Sequence, residues 1–269
     1  KQLDEIVATL DGASYTITNI ASKEVKRNPT PPFTTSKLQQ EANTRLGFSS
    51  KNTMRIAQQL YEGITVPNEG QVGLITYMRT DSTNMSQKFL GETTEFVQKT
   101  YGKEYALDTP TIFKTKSKGA QEAHEAIRPT DPNRTPESIQ NSLTPEQYRL
   151  YSLIWRKAVS TQMAPARLNK STIDITAKGH TLRTSGQTMV FPGWLILYPE
   201  RVSETVLPEV KQDQAVTCKK LSPDQHFTEP PARFNDASLV KILEEHGIGR
   251  PSTYAPTIAT LEYRGYVER

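Results

Sequence analysis

The sequence has almost no cysteine and no long hydrophobic run. Cys218 is the single cysteine among 269 residues, which excludes an internal disulfide and a zinc site built on several cysteines. No stretch approaches the roughly 18 consecutive apolar residues that a membrane-spanning helix needs. These absences favour a reducing, cytoplasmic environment. Residues 215–218 (AVTC) have the composition of a strand, so we expect Cys218 to be half-buried and unreactive.

Metal-ligand spacings and nucleotide-binding loops are also missing. The histidines lie far apart in the sequence and no Asp-x-Asp pair occurs, so the sequence predicts no metal site of its own. No Gly-x-x-x-x-Gly-Lys-Ser/Thr loop is present, which argues against a reaction driven by ATP bound in such a loop. The four histidines are His124, His180, His226 and His246.

Charge of one sign is only slightly in excess. Lysine and arginine total 33 against 29 aspartate and glutamate residues, which gives a formal net charge of +4. The pI is about 9.0 and the mean hydropathy is −0.60, so the chain is polar and mildly basic. This balance permits a polyanionic partner but does not identify one.

The pattern of elements changes along the chain from strands to helices and back. Alternating Ile6, Ala8 and Leu10, followed by a turn at residues 11–12 (DG), predict a β-hairpin over 5–27. Helical periodicity dominates the next hundred residues. Strand patterns then return, and helical spacing follows near the end.

This order predicts a multidomain α+β fold in which a mainly helical domain is inserted into a β-rich one. We expect the β-rich domain over 1–34 and 146–225, the inserted helical domain over 35–145, and a helical segment over 226–269. The sequence begins without methionine and stops just after an expected strand at 265–267. We therefore expect an internal piece of a longer chain.

Several expected helices and turns have clear local signals. Ser49 and Gly63 bracket one amphipathic stretch, and Gly102 ends another. Residues 144–147 (TPEQ) match a capping box with proline at the first helical position. Residues 178–179 (KG) predict a tight turn between two later strands.

Residues 75–82 (ITYMRTDS) form the segment that most clearly points to chemistry. Side chains two apart in an extended chain point the same way, so Tyr77 and Arg79 would share a face. A neighbouring guanidinium favours the phenolate of a tyrosine and binds phosphate through two hydrogen bonds. The pair suits attack on a phosphodiester, with the bond energy kept in a phosphotyrosine ester. On spacing alone, packing as one of 11 tyrosines is the more common role.

Residues 120–129 (AQEAHEAIRP) predict a short helix over 120–127. His124 and Arg128 are four apart, so they would lie on one helical face and contact a phosphate, with His124 able to move a proton. The zinc-protease pattern His-Glu-x-x-His fails because Arg128 stands where the second histidine is needed. A surface helix with ordinary charges is the alternative.

Residues 247–254 (GIGRPSTY) link two expected helices, as in a helix-turn-helix arrangement. Ser252 and Thr253 can cap the second helix, whose N-terminus attracts phosphate. Arg250 and Tyr254 can add a charge contact and base stacking. A plain interhelical turn is the alternative.

Taken together, four blocks resemble the bacterial type IA DNA topoisomerases. Residues 73–84 (GLITYMRTDSTN) resemble the active-site tyrosine motif of that family, and residues 31–42 (PPFTTSKLQQEA) resemble its upstream signature. Residues 121–129 (QEAHEAIRP) and 247–254 (GIGRPSTY) match two further blocks in family order. The Pro-Pro-Phe form is similar to topoisomerase I rather than to the topoisomerase III group.

The resemblance implies a role for each matching residue. Tyr77 would be the nucleophile that takes the 5′ phosphate of the broken strand, and Arg79 would stabilise charge on the scissile phosphate. His124 would position the phosphate or assist proton transfer. Further residues would shape the site or contact the DNA strand; these are Thr76, Asp81, Arg128, Arg250, Ser252, Thr253, Tyr254 and Arg264.

The resemblance also implies a fold and partners. In the family a β-rich arch carries the helical gate domain with the tyrosine, the two forming part of a torus, and the helical C-terminal segment belongs to its base. The whole enzyme would relax negatively supercoiled DNA without ATP, as a monomer that acts on single-stranded segments and not on membranes. Mg²⁺ would be held by an N-terminal Toprim domain that these residues do not include. We therefore expect no cofactor in this chain, weak binding of single-stranded DNA, and poor cleavage by the chain alone.

Three other classes of function stay open at this point. A binding module could hold single-stranded DNA without chemistry. A relaxase or replication-initiator nickase also uses tyrosine, but it pairs the tyrosine with clustered histidines that are absent from this sequence. A tyrosine recombinase would leave a 3′ link and needs several arginines around the tyrosine, so the polarity of the covalent link would separate it from a topoisomerase.

Overall fold

The computed structural model describes residues 2–113 and 124–268, which form two compact units. The first, which we call the sheet unit, consists of residues 1–28 and 165–231, and the second, the helical unit, consists of residues 29–164 and 232–269. Each unit is thus built from two separate stretches of the chain.

In chain order the elements are α1 (Gln2–Leu10), β1 (Tyr15–Arg27), α2 (Thr35–Leu46), α3 (Ser50–Glu62), β2 (Ile64–Val66), β3 (Gly70–Val72), α4 (Gln87–Tyr101), α5 (Pro145–Ser160), β4 (Ala166–Ala177), β5 (His180–Phe191), β6 (Ala215–Val216), α6 (Asp236–Glu245) and α7 (Tyr254–Tyr263). Short 3₁₀ turns occur at Lys103–Tyr105, Glu137–Ser142, Gly193–Leu197 and Pro199–Arg201.

An antiparallel four-stranded sheet with the order β5-β4-β1-β6 forms the sheet unit. Strand β1 pairs with β4 from Thr16 opposite Thr176 to Arg27 opposite Ala166. Strands β4 and β5 are joined by the expected tight turn, in which Lys178 and Gly179 both have positive φ (47° and 81°). Two residues of this conformation match the right-handed twist of a hairpin, which explains why the turn was predictable.

Residues 2–10 form a helix and not the first strand of a hairpin, so the prediction over 5–14 was wrong. Ile6 and Leu10 are four apart and therefore lie on one side of α1, where they pack with Tyr15 and Ala177. The Tyr15 hydroxyl also donates to the Leu10 carbonyl at 2.8 Å. The spacing of Ile6, Ala8 and Leu10 was interpreted as strand alternation, but Ile6 and Leu10 also have the four-residue spacing of a helix. The cluster with Tyr15 and Ala177 stabilises that helix.

Two short strand predictions also need correction. Strand β6 ends at Val216, and Cys218 is exposed rather than half-buried in a strand. Residues 265–267 form a turn and a bend after α7 instead of a strand.

Polar side chains cap the N-termini of four helices in the helical unit, and the caps at Ser49 and Thr144 are the predicted ones. The side chains of Thr34, Ser49, Ser86 and Thr144 each accept a backbone N–H in the first turn of α2, α3, α4 and α5. The Thr144 capping box is complete, since the Gln147 side-chain oxygen accepts a hydrogen bond from the Thr144 amide. These polar caps satisfy N–H groups that would otherwise lack partners.

The unit boundaries differ from the predicted ones at 34, 145 and 225. Helix α5 lies in the helical unit, because its residues pack there: the Tyr151 hydroxyl donates to Arg134 at 2.7 Å and the Trp155 indole donates to Pro132 at 3.0 Å. The Trp155 ring also contacts Phe96 of α4 at a centroid distance of 5.6 Å. No helix within the described residues is long and apolar enough to cross a membrane.

Candidate active site

The segment that carries Tyr77 is held on one side by residues 126–130. Ile75 and Pro129 form an antiparallel bridge, and the Thr76 amide donates to the Arg128 carbonyl at 2.9 Å. The Thr130 amide donates to the Leu74 carbonyl at 3.0 Å. The second sequence block therefore serves as a backbone partner for the tyrosine block.

On its other side the segment is held by Thr35, from the block at 31–42. The buried Thr35 hydroxyl donates to the Met78 carbonyl at 2.7 Å and accepts from the Thr80 amide at 2.8 Å. The Thr35 amide in turn donates to the Thr80 carbonyl at 2.9 Å. One side chain thus fixes the backbone on both sides of Arg79.

Tyr77 and Arg79 share the solvent-facing side of this segment, as the spacing predicted. Met78 and Thr80 are almost completely buried, whereas Tyr77 is 42% exposed and Arg79 is also exposed. Both side chains line an open cleft of about 480 Å³ whose other wall is helix α3. The α3 residues in the cleft are Met54, Arg55, Gln58 and Glu62.

Tyr61 of α3 also belongs to this site, and the sequence analysis missed it. Its ring meets the Tyr77 ring edge to face, with centroids 5.3 Å apart and planes at 63°. The end of α3 is locked to the same segment, since the Leu74 amide donates to the Leu60 carbonyl at 2.8 Å. Gly73 permits this approach, because a Cβ there would lie 2.9 Å from the Tyr61 carbonyl oxygen. The glycine two residues before the segment at 75–82 was the available signal.

The Thr76 hydroxyl makes hydrogen bonds within the protein. Its hydroxyl donates to the Ala126 carbonyl at 2.6 Å and accepts from the Arg128 amide at 3.0 Å. A hydroxyl used in this way shapes the backbone beneath Tyr77 and has little capacity left for a DNA contact.

Arg128 requires a correction, because residues 124–128 are not helical and its side chain is buried. Ile127 forms a bridge with Phe33, so the chain is extended here and His124 and Arg128 do not share a helical face. The Arg128 guanidinium is bonded to Glu125 at 2.5 Å and donates to the Pro129 carbonyl at 2.9 Å.

The remaining contacts of the Arg128 guanidinium are also internal. It donates to the Ser86 hydroxyl at 3.2 Å, and it lies 4.4 Å from the centroid of the Phe89 ring. Arg128 therefore ties the start of α4 to the tyrosine segment, and we remove it from the expected DNA contacts.

His124 is half-buried at the edge of the described chain. The Ala126 amide donates to the Asn84 carbonyl at 2.7 Å, which places the His124 segment beside the residues that follow Tyr77 in the motif. Residues 120–123 of the expected helix lie outside the described residues.

The third block, 247–254, forms a compact turn before α7. Gly247 and Gly249 have positive φ values of 68° and 82°, and the Arg250 amide donates to the Thr253 hydroxyl at 2.8 Å. Thr253 stands at the N-cap position of α7 but makes no side-chain cap bond, so the predicted capping by Ser252 or Thr253 was wrong. The hydroxyl stabilises the turn instead of the helix.

Tyr254 is a core residue and not an exposed stacking platform. Its ring is 7% exposed and packs with Val240, Leu243 and Ile258. Burial raises the pKa of the Tyr254 hydroxyl; Glu244 and Asp81 act in the same direction, and Arg250 acts against them. Arg79 lines one small cleft together with Pro251 and Ser252, so the third block and the tyrosine block lie near each other.

Helix α6 is joined to α2 and α3 through carboxylates. Glu244 accepts from the Ser36 hydroxyl at 2.5 Å and pairs with Lys37 at 3.4 Å. At the other end of α6, Asp236 accepts from the Ser50 amide in the first turn of α3 at 2.7 Å. The block at 31–42 therefore contacts the element that leads into the third block.

The exposed members of the third block complete the site. Arg250, Ser252 and Thr253 are exposed or only slightly covered, and Arg264 is exposed at the end of α7. Among residues 2–113 and 124–268, no group of three or more His, Cys, Asp or Glu side chains is arranged to hold a metal ion. The described residues of the site therefore offer a nucleophile and cations, and they do not fit a Mg²⁺ site.

The fold and the site define a mixed α/β protein in which a helical unit presents an exposed tyrosine beside an arginine. The sequence profile of the family described as DNA topoisomerase matches residues 1–269. This chain belongs to that family.

Individual relatives agree with this assignment. The chain is 48% identical over 262 residues to DNA topoisomerase 1 of Xylella fastidiosa (strain 9a5c), an alignment that covers 94% of this chain and 32% of that protein. It is also similar to the solved structure of full-length topoisomerase I from Thermotoga maritima, with a TM-score of 0.84, 34% identity, and coverage of 100% of this chain and 43% of that one. The predicted resemblance to bacterial topoisomerase I and the mixed fold are thus confirmed. The chain spans about a third of the length of its curated relative.

Proposed function

We propose that this chain carries the strand-cutting tyrosine of a type IA DNA topoisomerase. The observation that carries the proposal is the exposed Tyr77 beside the exposed Arg79 on one cleft, on a backbone held by the other family blocks. Family membership makes DNA the partner. The whole enzyme would relax negative supercoils by cutting one strand, passing another through the break and resealing it.

The chemical step is an exchange of phosphoesters. The Tyr77 oxygen attacks the phosphorus and forms a new P–O bond, and its proton leaves. The bond from phosphorus to the 3′ oxygen of the preceding nucleotide breaks, and that oxygen takes up a proton to become a hydroxyl. Resealing is the reverse attack by the 3′ hydroxyl, so no ATP is needed. Arg79 stabilises the added charge on the phosphate, and His124 assists proton transfer or positions the phosphate.

The single strand would follow the exposed residues of the helical unit. Arg250 and Arg264 neutralise backbone phosphates, and Ser252 and Thr253 supply hydroxyl groups. Asp81 and Thr76 shape the site around Tyr77. Arg128 and Tyr254 support this surface from the interior.

The arrangement of the complete enzyme is part of the same proposal. The sheet unit corresponds to the arch, most of the helical unit to the gate, and α6 and α7 to the base. Mg²⁺ would be bound by acidic residues of a Toprim domain, and we derive no step through it. The enzyme would work as a cytoplasmic monomer.

The test uses single-stranded DNA labelled at its 3′ end, with Mg²⁺ and a denaturant quench. The chain alone should form no covalent adduct or very little, and addition of a Toprim domain should yield an adduct through the 5′ phosphate. Tyr77→Phe should abolish it. An adduct that instead carries the label of 5′-labelled DNA, which marks a 3′ link, or an adduct that persists in Tyr77→Phe, would contradict the proposal.

A second candidate is a module that holds single-stranded DNA without chemistry. The exposed Arg250 and Arg264 support it, because they can bind a strand without any contribution from Tyr77. Failure to form an adduct in the complemented reaction, with DNA binding and fold intact, would favour this candidate.

A further inference from the structure

A second, smaller cleft lies next to the Tyr77 cleft in the helical unit. It has a volume of about 260 Å³ and lies between α3 and the start of α7. Its walls are apolar and are formed by Met54, Pro251, Ala255, Pro256 and Ala259. We call this cleft the slot.

The composition of α7 keeps the slot open. Ala255 and Ala259 are one helical turn apart, so their methyl groups lie on the same face and leave space in front of the helix. Pro256 stands in the first turn, where a helix does not need its backbone N–H, and adds a flat apolar surface. Opposite them, the flexible thioether of Met54 can adapt to a planar guest.

Polar groups are confined to the rim of the slot. Lys51 and Arg79 provide two cations, and Ser252 provides a hydroxyl. An apolar interior with a cationic rim suits a flat apolar ring attached to an anion. A nucleobase with its phosphate has this chemistry.

The slot and the Tyr77 cleft share two residues. Met54 and Arg79 line both, so the Arg79 guanidinium stands at the boundary between the nucleophile and the slot. A phosphate bound by Arg79 for attack by Tyr77 therefore brings the adjoining nucleotide to the mouth of the slot.

We infer that the slot binds the unstacked base of a nucleotide next to the scissile phosphate. The inference rests on the proposed function and adds a substrate subsite to it. Because Ser252 is the only uncharged polar side chain that lines the slot, recognition depends on shape and apolar contact, and discrimination among the four bases is weak.

The test combines a protein variant that fills the slot with DNA probes that lack one base. Ala259→Leu adds three carbon atoms on the slot face of α7, and Thr260→Leu adds a leucine at the next, exposed position as the matched control. Both are made in a Tyr77→Phe background, so that DNA binding is measured without cleavage. Thermal unfolding verifies that each variant is folded. The probes are fluorescent single strands with one abasic residue placed in turn at each position around the cleavage point.

We expect that filling the slot and removing the base each lower DNA affinity, and that the two losses do not add when they are combined. An abasic residue at one position beside the scissile phosphate should weaken binding about tenfold, and Ala259→Leu should weaken binding of intact DNA by about the same factor. Ala259→Leu should then be insensitive to that abasic residue, while Thr260→Leu behaves as its parent. Unchanged affinity in Ala259→Leu, or two losses that add fully, would overturn the inference. Adduct formation in the parent enzyme is measured separately, so that a failure of the proposed function can be distinguished from a failure of the slot inference.

Discussion

At the scale of the residue, the orientation of Tyr77 depends on the ring of Tyr61. Both rings are about two-fifths exposed, so burial alone does not fix either of them. Their edge-to-face contact supplies an orientation preference that an isolated surface tyrosine lacks. A nucleophile held near its attack geometry loses less entropy on the way to the transition state.

Tyr61→Ala should therefore slow adduct formation about tenfold, which corresponds to the upper range of an aromatic pair. Single-strand affinity should stay within about twofold, because the phosphate contacts are made elsewhere. Tyr61→Phe preserves the ring and should retain the parent rate. Rapid-quench measurement of the adduct, beside a binding titration, separates the two effects. If Tyr61→Phe is as slow as Tyr61→Ala, the hydroxyl and not the ring contact is important.

The exposed pair was predictable from sequence, whereas the buried residues were not. Alternation of side chains follows from the extended backbone alone, so Tyr77 and Arg79 were placed on one face before any tertiary contact was known. The burial of Arg128 depends on Ser86, which is 42 residues away, and Tyr254 packs with Val240, Leu243 and Ile258 from two different helices. No local pattern reports such burial.

At the scale of the element, Thr35 joins the start of α2 to the tyrosine segment. Its hydroxyl and amide make bonds to the backbone of Met78 and Thr80 in a site that water does not reach. The loss of these bonds leaves polar backbone groups without partners, and each such group costs about 1–3 kcal/mol.

Thr35→Val should lower the free energy of unfolding by about 2–4 kcal/mol and slow cleavage, because the backbone around Arg79 is released. Thr35→Ser keeps the hydroxyl and should recover most of both losses. Urea unfolding and the adduct assay measure the two quantities. A parent-like valine variant together with an impaired serine variant would show that packing of the methyl group, rather than the hydrogen bonds, is responsible.

Strands β1, β4 and β5 are linked by a charged cluster that responds to acid. Arg183 donates to both carboxylate oxygens of Asp174, at 2.6 and 2.9 Å, and Asn19 donates at 3.2 Å. The hydrogen bonds from Arg183, followed by that from Asn19, lower the pKa of the Asp174 carboxyl to about 2 from its ordinary value of 3.8.

A lowered pKa in the folded state stabilises the sheet unit above the pKa of the unfolded chain. This contribution should be complete above about pH 4 and lost as the pH falls through about 2. Asp174→Asn should remove that part of the pH dependence in circular dichroism melts. Glu24→Gln, which removes an exposed pair with Arg167 at 3.5 Å, should retain it. A parent-like acid profile in Asp174→Asn would contradict the assignment.

Local signals identified most elements but not α1 or the extended chain at 124–128. Thr144 with Gln147, and Lys178 with Gly179, act within a few residues, so their structures follow from sequence. Residues 124–128 have helix-forming composition, yet the backbone pairs with Phe33 and Thr76 instead. Tertiary hydrogen bonds to distant segments outweigh a helix propensity of a few tenths of a kcal/mol per residue.

At the scale of the whole molecule, the proposed strand passage requires α6 and α7 to separate from α2 and α3. The contacts that join them include polar ones, with Glu244 on Ser36, Lys37 and Gln40. Buried polar atoms are also left without hydrogen-bond partners among the described residues, including the Gln39 amide of α2. An interface of this kind is less costly to open than a fully apolar one, since its groups regain hydrogen bonds to water.

Glu244→Gln should therefore increase the population in which α6 and α7 are detached. Amide hydrogen exchange in α7 should rise about tenfold, equivalent to a loss of about 1.4 kcal/mol, while exchange in α4 and α5 stays unchanged. Glu245→Gln is the matched control, because among the described residues Glu245 pairs along its own helix with Lys241, at 3.8 Å. A uniform rise of amide exchange across all helices would indicate global destabilisation. It would contradict a local role of Glu244 in holding α6 and α7 in place. A rise confined to α7, together with faster release of a trapped circular strand by the complete enzyme, would connect the Glu244 contacts to opening of the gate.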